Sequence, residues 1–202
     1  MGVAVYRPDT GGGNMRSFRS AVALALCLAL SACGKDEEEQ KPTPCQTYCG
    51  EVAVSCTPAS GFAQYPAHGL ITCAAYCDQA AAFAVGAVGA TTGNTVECRR
   101  TYARRAASDA AANCVPAGPS GGGVCGGLCE NYCALAQKNC TGANALYAGM
   151  TSCLTACGGF PTNGPWDAMS DSVQCRLMEA AEAFLKPEEH CPHAAAVSSV
   201  CK

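Results

Sequence analysis

A chain of 202 residues that is 49% hydrophobic, 14% charged and −3 in formal charge can form one medium domain or two small ones. The mildly negative balance gives nucleic acid no electrostatic foothold. The 18 cysteines, about 9% of the chain, belong to an oxidising compartment rather than to the reducing cytosol. Aromatic residues at 6% beside abundant Ala and Gly make a thin core, so covalent staples must replace part of the missing burial.

Residues 1–14 do not have the character of a leader and are expected to be an upstream extension, with Met15 as the true start. Residues 15–32 read as a signal peptide: a basic segment around Arg16 and Arg19, then an uncharged apolar run over 21–30, then small residues. The run is too short to span a bilayer, which needs about 20 apolar residues. Leu30-Ser31-Ala32-Cys33 resembles the lipobox of bacterial lipoproteins. That resemblance implies diacylglycerol on the Cys33 sulfur and cleavage before it. Gly34 stands where Asp often marks inner-membrane retention in that family, which leans toward the outer membrane, facing the periplasm or the cell surface. Two or three acyl chains give stable anchoring, since each buried CH₂ contributes about 0.8 kcal/mol. Residues 33–44 then read as a lipidated cysteine and a flexible acidic tether, Lys-Asp-Glu-Glu-Glu-Gln-Lys followed by a Pro-Thr-Pro tip, with nothing in it to bury. The whole N-terminal region is expected to be disordered.

Beyond the tether, sixteen cysteines fall into two sets of eight. The first is Cys45, Cys49, Cys56, Cys73, Cys77, Cys98, Cys114 and Cys125; the second is Cys129, Cys133, Cys140, Cys153, Cys157, Cys175, Cys191 and Cys201. The intervening lengths are 3, 6, 16, 3, 20, 15 and 10 in the first and 3, 6, 12, 3, 17, 15 and 9 in the second. The flanks agree as well: CxxYC at Tyr48 and Tyr132, Cys-Thr at Cys56 and Cys140, Cys-Arg at Arg99 and Arg176. This is an internal duplication, giving cysteine-rich repeats over 45–125 and 126–202. An even count in each predicts four disulfides per repeat, and eight cysteines still allow 105 pairings.

Cys45, Cys49 and Cys56 stand at i, i+4 and i+11, within roughly 40° of one another on a helix. Cys73/Cys77 and Cys153/Cys157 are i, i+4 pairs on a second helix, better placed to bond a neighbouring helix than each other. A third helix is expected over 94–112, capped by Asn94 and Glu97, with its counterpart over 166–185 ending before Pro187. Each repeat then reads as an α-hairpin plus a third helix, closed by a Gly/Pro-rich tail. The expected stitching is Cys49–Cys77 and Cys56–Cys73, with Cys45, Cys98, Cys114 and Cys125 supplying the other two bonds. Trp166, Met169, Leu177, Met178 and Phe184 are expected in the second core.

The sharpest chemical alternative is a thiolate site. The CxxxC pairs resemble those of the cysteine-rich helical bundles that store Cu(I), and soft thiolates select that ion. The resemblance fails at Cys114, Cys125, Cys191 and Cys201, which sit in or beside Pro/Gly-rich tails. CxxC does not occur, and the glycine runs at 121–123 and 158–159 lack the Lys of a phosphate cradle. His68, His190 and His193 stand outside any catalytic motif, and the latter two are expected on the surface, because Cys114 has no flanking His. Arg99, Arg100, Arg104 and Arg105 form the one basic cluster, a solvated face or an interaction patch for an acidic partner, and could meet the acidic helix of Glu179 and Glu182 if the repeats stack.

The chain therefore reads as all-α: two tandem disulfide-rich helical repeats on a membrane-anchored cell-envelope lipoprotein, a binding or structural module rather than an enzyme. No cofactor or metal is implied. Its expected partners are the bilayer, through acylated Cys33, and a protein or glycan of the envelope. The alternatives are a Cu(I)-binding helical protein and an envelope enzyme.

Overall fold

The computed structural model describes residues 41–65, 71–163 and 169–202. The expected extension, signal peptide, lipidated Cys33, disordered N-terminal region and most of the tether, together with His68 and Trp166, lie outside the described residues. What is described is all-helical, with no strand and one isolated bridge between Ala84 and Thr95.

Helix α1, Pro44–Ser55, starts where local chemistry dictates. Pro44 fits the first helical position, and Thr43 accepts from the Gln46 amide while the Gln46 side chain accepts from the Thr43 amide. Helix α2, Cys73–Ala75, is capped by Thr72 and widens into a π-helical turn over Tyr76–Ala80. Helix α3, Val96–Ala106, is capped by Thr95, not by Asn94, and its last turn carries Arg104 and Arg105, which complement the helix dipole. The chain breaks after α3 and restarts as α4, Ala110–Ala117, because the Asp109 carboxylate accepts from the Ala112 amide.

The second half runs in the same order: α5 Leu128–Asn139, α6 Met150–Cys157, α7 Val173–Glu182 and α8 Pro187–Ala194. Two expectations are thereby corrected. The third helices are shorter than 94–112 and 166–185, and each tail opens with a fourth helix. Cys114 and Cys191 accordingly lie inside α4 and α8 rather than in loops.

The disulfides define the frame. Cys45–Cys77, Cys49–Cys73, Cys56–Cys114 and Cys98–Cys125 close the first set. Cys129–Cys157, Cys133–Cys153, Cys140–Cys191 and Cys175–Cys201 close the second. Counted along each set, the order is the same: first to fifth, second to fourth, third to seventh, sixth to eighth. The expected Cys49–Cys77 and Cys56–Cys73 bonds do not form. Antiparallel helices match one i, i+4 pair to the other, so Cys45 and Cys49 take Cys77 and Cys73. Cys56 is the cap residue beyond α1 and reaches α4 instead.

The buried tyrosines of the two CxxYC motifs tie the first helix of each set to the end of the fourth. The Tyr48 hydroxyl donates to Ala117 O at 2.6 Å and lies 2.8 Å from the Tyr65 hydroxyl. The Tyr132 hydroxyl donates to Ala194 O at 2.7 Å and lies 2.8 Å from that of Tyr147. One apolar cluster holds Cys45, Tyr48, Val52, Val96 and Ala103. Another joins the halves, packing Ile71, Tyr76 and Ala80 against Tyr132, Leu135 and Leu177. Residues 41–202 accordingly form one compact unit. Leu177 and Met178 are buried as expected, but Met169 and Phe184 are exposed.

The glycine run at 121–123 has a structural role. Gly121 adopts φ +70°, and a Cβ there would meet Gly126 O at 2.8 Å, so only glycine lets the loop fold tightly into Cys125.

Candidate functional site

The basic cluster divides between the interior and the surface. Arg99 is fully buried. Its Nε donates to Gly118 O at 3.1 Å, its Nη atoms reach Thr95 O and Pro119 O, and its guanidinium stacks 3.7 Å from the Phe83 ring. Arg176 does the same in the second half. It donates to Ala195 O, Ala196 O and Ser172 O at 3.1 Å each and stacks 4.1 Å from Phe160. Arg99 is thus no part of an interaction patch. Five fixed donors let one arginine tie together several carbonyls of the helix start and the tail. The repeated Cys-Arg doublet was the sequence signal for this pair of hubs.

Arg100 and Arg104 are held rather than free. Arg100 grips both oxygens of Glu51 on α1 at 3.1 and 3.0 Å and also pairs with Glu97. Arg104 reaches Glu51 at 3.2 Å and Glu97 at 3.8 Å. Arg105 lies 5.1 Å over the Tyr102 ring. Two carboxylates thus offset most of the charge of the three surface arginines. The Glu51 bidentate bond raises the Arg100 pKa further. The pairing is within the first half, so these arginines do not meet Glu179 and Glu182 across a junction.

Beside this network runs an open groove of about 610 Å³ between α1 and the α3–α4 break, lined by Pro42, Gln46, Gly50, Val54 and Ala107. Gly50 has nothing within 4 Å of a built Cβ, and Val54 is 80% exposed. This apolar groove beside an ion-paired network is a candidate surface for contact with a partner, and Pro42 at the end of the tether lines it.

The histidines also differ from expectation. His190 is buried, not a surface residue, and its Nδ1 lies 2.7 Å from Glu179 Oε2. His193 is partly buried, with Nδ1 3.2 Å from the same oxygen. Among the described residues, no helix is long and apolar enough to cross a membrane.

Residues 126–198 match the C-terminal domain of the BfoA family. The match takes in seven of the eight cysteines of the second set and stops short of Cys201. No curated protein and no solved structure matches the chain.

Proposed function

We propose that this chain is an exported lipoprotein of the cell envelope, anchored through acylated Cys33, whose disulfide-stapled helical body is a rigid, non-catalytic module for binding an envelope protein or glycan. The observation that carries the reading is the state of the sulfurs. All sixteen cysteines beyond the tether are joined in eight bonds, a state that belongs outside the cytosol. The same pairing removes the thiolates that Cu(I) storage would require. The lipobox supplies the anchor, Gly34 favours the outer membrane, and nine residues separate Gly34 from the first helix as a spacer from the bilayer. The groove beside Val54, bordered by the Glu51–Arg100 network, is the surface on which a partner would dock.

Intact-mass analysis of envelope-purified protein tests the anchor. The expected result is a mature chain beginning at Cys33 and carrying acyl chains that Cys33→Ser abolishes. Acyl labelling that survives C33S overturns it. A thiol titration of the denatured, unreduced protein should give near zero. Sixteen free thiols would restore the metal-storage alternative.

A further inference from the structure

Away from the α1–α3 face, four titratable side chains converge on the α7–α8 hairpin. Glu179 and Glu182 stand at i, i+3 on α7, and His190 and His193 at i, i+3 on α8. Glu179 Oε2 lies 2.7 Å from His190 Nδ1 and 3.2 Å from His193 Nδ1, and Glu182 Oε2 lies 3.5 Å from His190 Nδ1. One ligand atom from each of Glu179, His190 and His193 lies within 4.8 Å of the others. The side chains of Glu179, Glu182 and His190 are all under one-tenth exposed.

The first half provides an internal control. Counting from Arg99 as from Arg176, the positions of Glu179 and Glu182 hold Tyr102 and Arg105. Counting from Cys114 as from Cys191, those of His190 and His193 hold Asn113 and Pro116. The first half nevertheless builds the same helix pair, with the Cys56–Cys114 bond where the second has Cys140–Cys191. The scaffold does not need the cluster. Gathering carboxylates under cover is costly unless a cation or tight pairing offsets it.

We propose that Glu179, His190 and His193, with Glu182 as a fourth donor, form a binding site for a divalent transition-metal ion of the zinc class. Imidazole and carboxylate donors suit such ions, and the neighbouring sulfur of Cys191 is committed to Cys140. A tetrahedral ion with bonds of about 2.1 Å sets its ligand atoms about 3.4 Å apart. The separations of 2.7, 3.2 and 3.5 Å bracket that value. Ligation through Nδ1 leaves the ring proton on Nε2. His190 Nε2 is buried without a hydrogen-bond partner, and Glu189 Oε1 stands 4.0 Å away. A small approach makes that carboxylate the outer acceptor that metal-bound imidazoles usually have. The Cys140–Cys191 bond, one residue from His190, pins the ligand helix to the end of α5.

The test is calorimetric titration of the purified, disulfide-bonded protein with zinc chloride, with Co(II) as a spectroscopic probe. The expected result is one ion per chain. Glu179→Gln and His193→Gln should each weaken binding at least about tenfold. Circular dichroism checks that the variants fold. Should E179Q unfold, H193Q still tests the site, because that side chain is 25% exposed. The Co(II) spectrum of the unaltered protein needs no variant and should show low-coordinate d–d bands without thiolate charge transfer. Absence of stoichiometric binding, binding unaffected by both substitutions, or sulfur charge-transfer bands would each overturn the proposal.

Discussion

Replacing Arg176 by Met tests whether a buried arginine organises the end of the second half. The guanidinium donates to Ser172 O, Ala195 O and Ala196 O at 3.1 Å and reaches Cys201 O at 3.5 Å. Met can keep much of the packing on Phe160, so the change isolates the polar part. Three charge-assisted bonds are lost, each worth about 1.5–3 kcal/mol, although Ser172 O keeps the Arg176 amide as a donor and the bonds to Ala195 O and Ala196 O are only partly buried. Because the loop can relax and admit water, the expected sum is about 3–5 kcal/mol, or a fall in melting temperature of about 10 °C or more for a body of this size. Thermal unfolding followed by circular dichroism with the disulfides intact reads the effect. Asp171 pairs with Arg176 at 2.7 Å but its side chain is 57% exposed, so Asp171→Asn should cost under about 1 kcal/mol. If R176M melts within about 1 kcal/mol of the parent, or D171N costs as much as R176M, the hub reading is wrong.

Removing the Cys56–Cys114 bond, which spans 58 residues, should cost about 4 kcal/mol in denaturant unfolding, against about 3 kcal/mol for Cys133–Cys153, which spans 20; equal or reversed losses would count against the loop-entropy account. Burial raises the Tyr48 pKa from 10.0 to about 12. The folded state therefore holds that proton more tightly than the unfolded state, so its contribution to stability is complete below pH 10 and is lost as pH rises from there to about 12. Alkaline melts that are flat across that window would refute this. Glu51→Gln, which breaks the bidentate grip on Arg100, should cost about 1 kcal/mol at low salt and less at high salt; chemical denaturation at two ionic strengths measures it.

The sequence made the helical class, the eight-cysteine rhythm and the need for crosslinks readable, because i, i+4 spacing and Ala-rich composition are local signals. The hairpin register was not readable. Cys56 continues the stripe of Cys45 and Cys49 in angle, yet α1 stops at Ser55, and nothing in the spacing announces that stop. The fourth helices were hidden because the expected third helix ran through Asp109 to residue 112 and Pro187 looks like a terminator, while both residues are good helix starters. Arg99 was misplaced by type: arginine is usually a surface residue, and the carbonyls of Gly118 and Pro119, together with that of Thr95, bring it inside. The burial of His190 goes with its pairing to Glu179 and Glu182 on the preceding helix, and it is the reversal of the chain at Pro187, not the spacing, that brings them together.

The order of pairing has a consequence for how the protein must be made. No bond in either set joins cysteines that follow one another directly along the chain. An oxidase that linked each sulfur to the next one to emerge from a translocon would create wrong bonds only. Reaching the native ladder then depends on reshuffling through mixed disulfides. On the export route proposed above, the host would therefore supply an isomerase as well as an oxidant, or hold the thiols open until Cys125 and Cys201 have cleared the membrane.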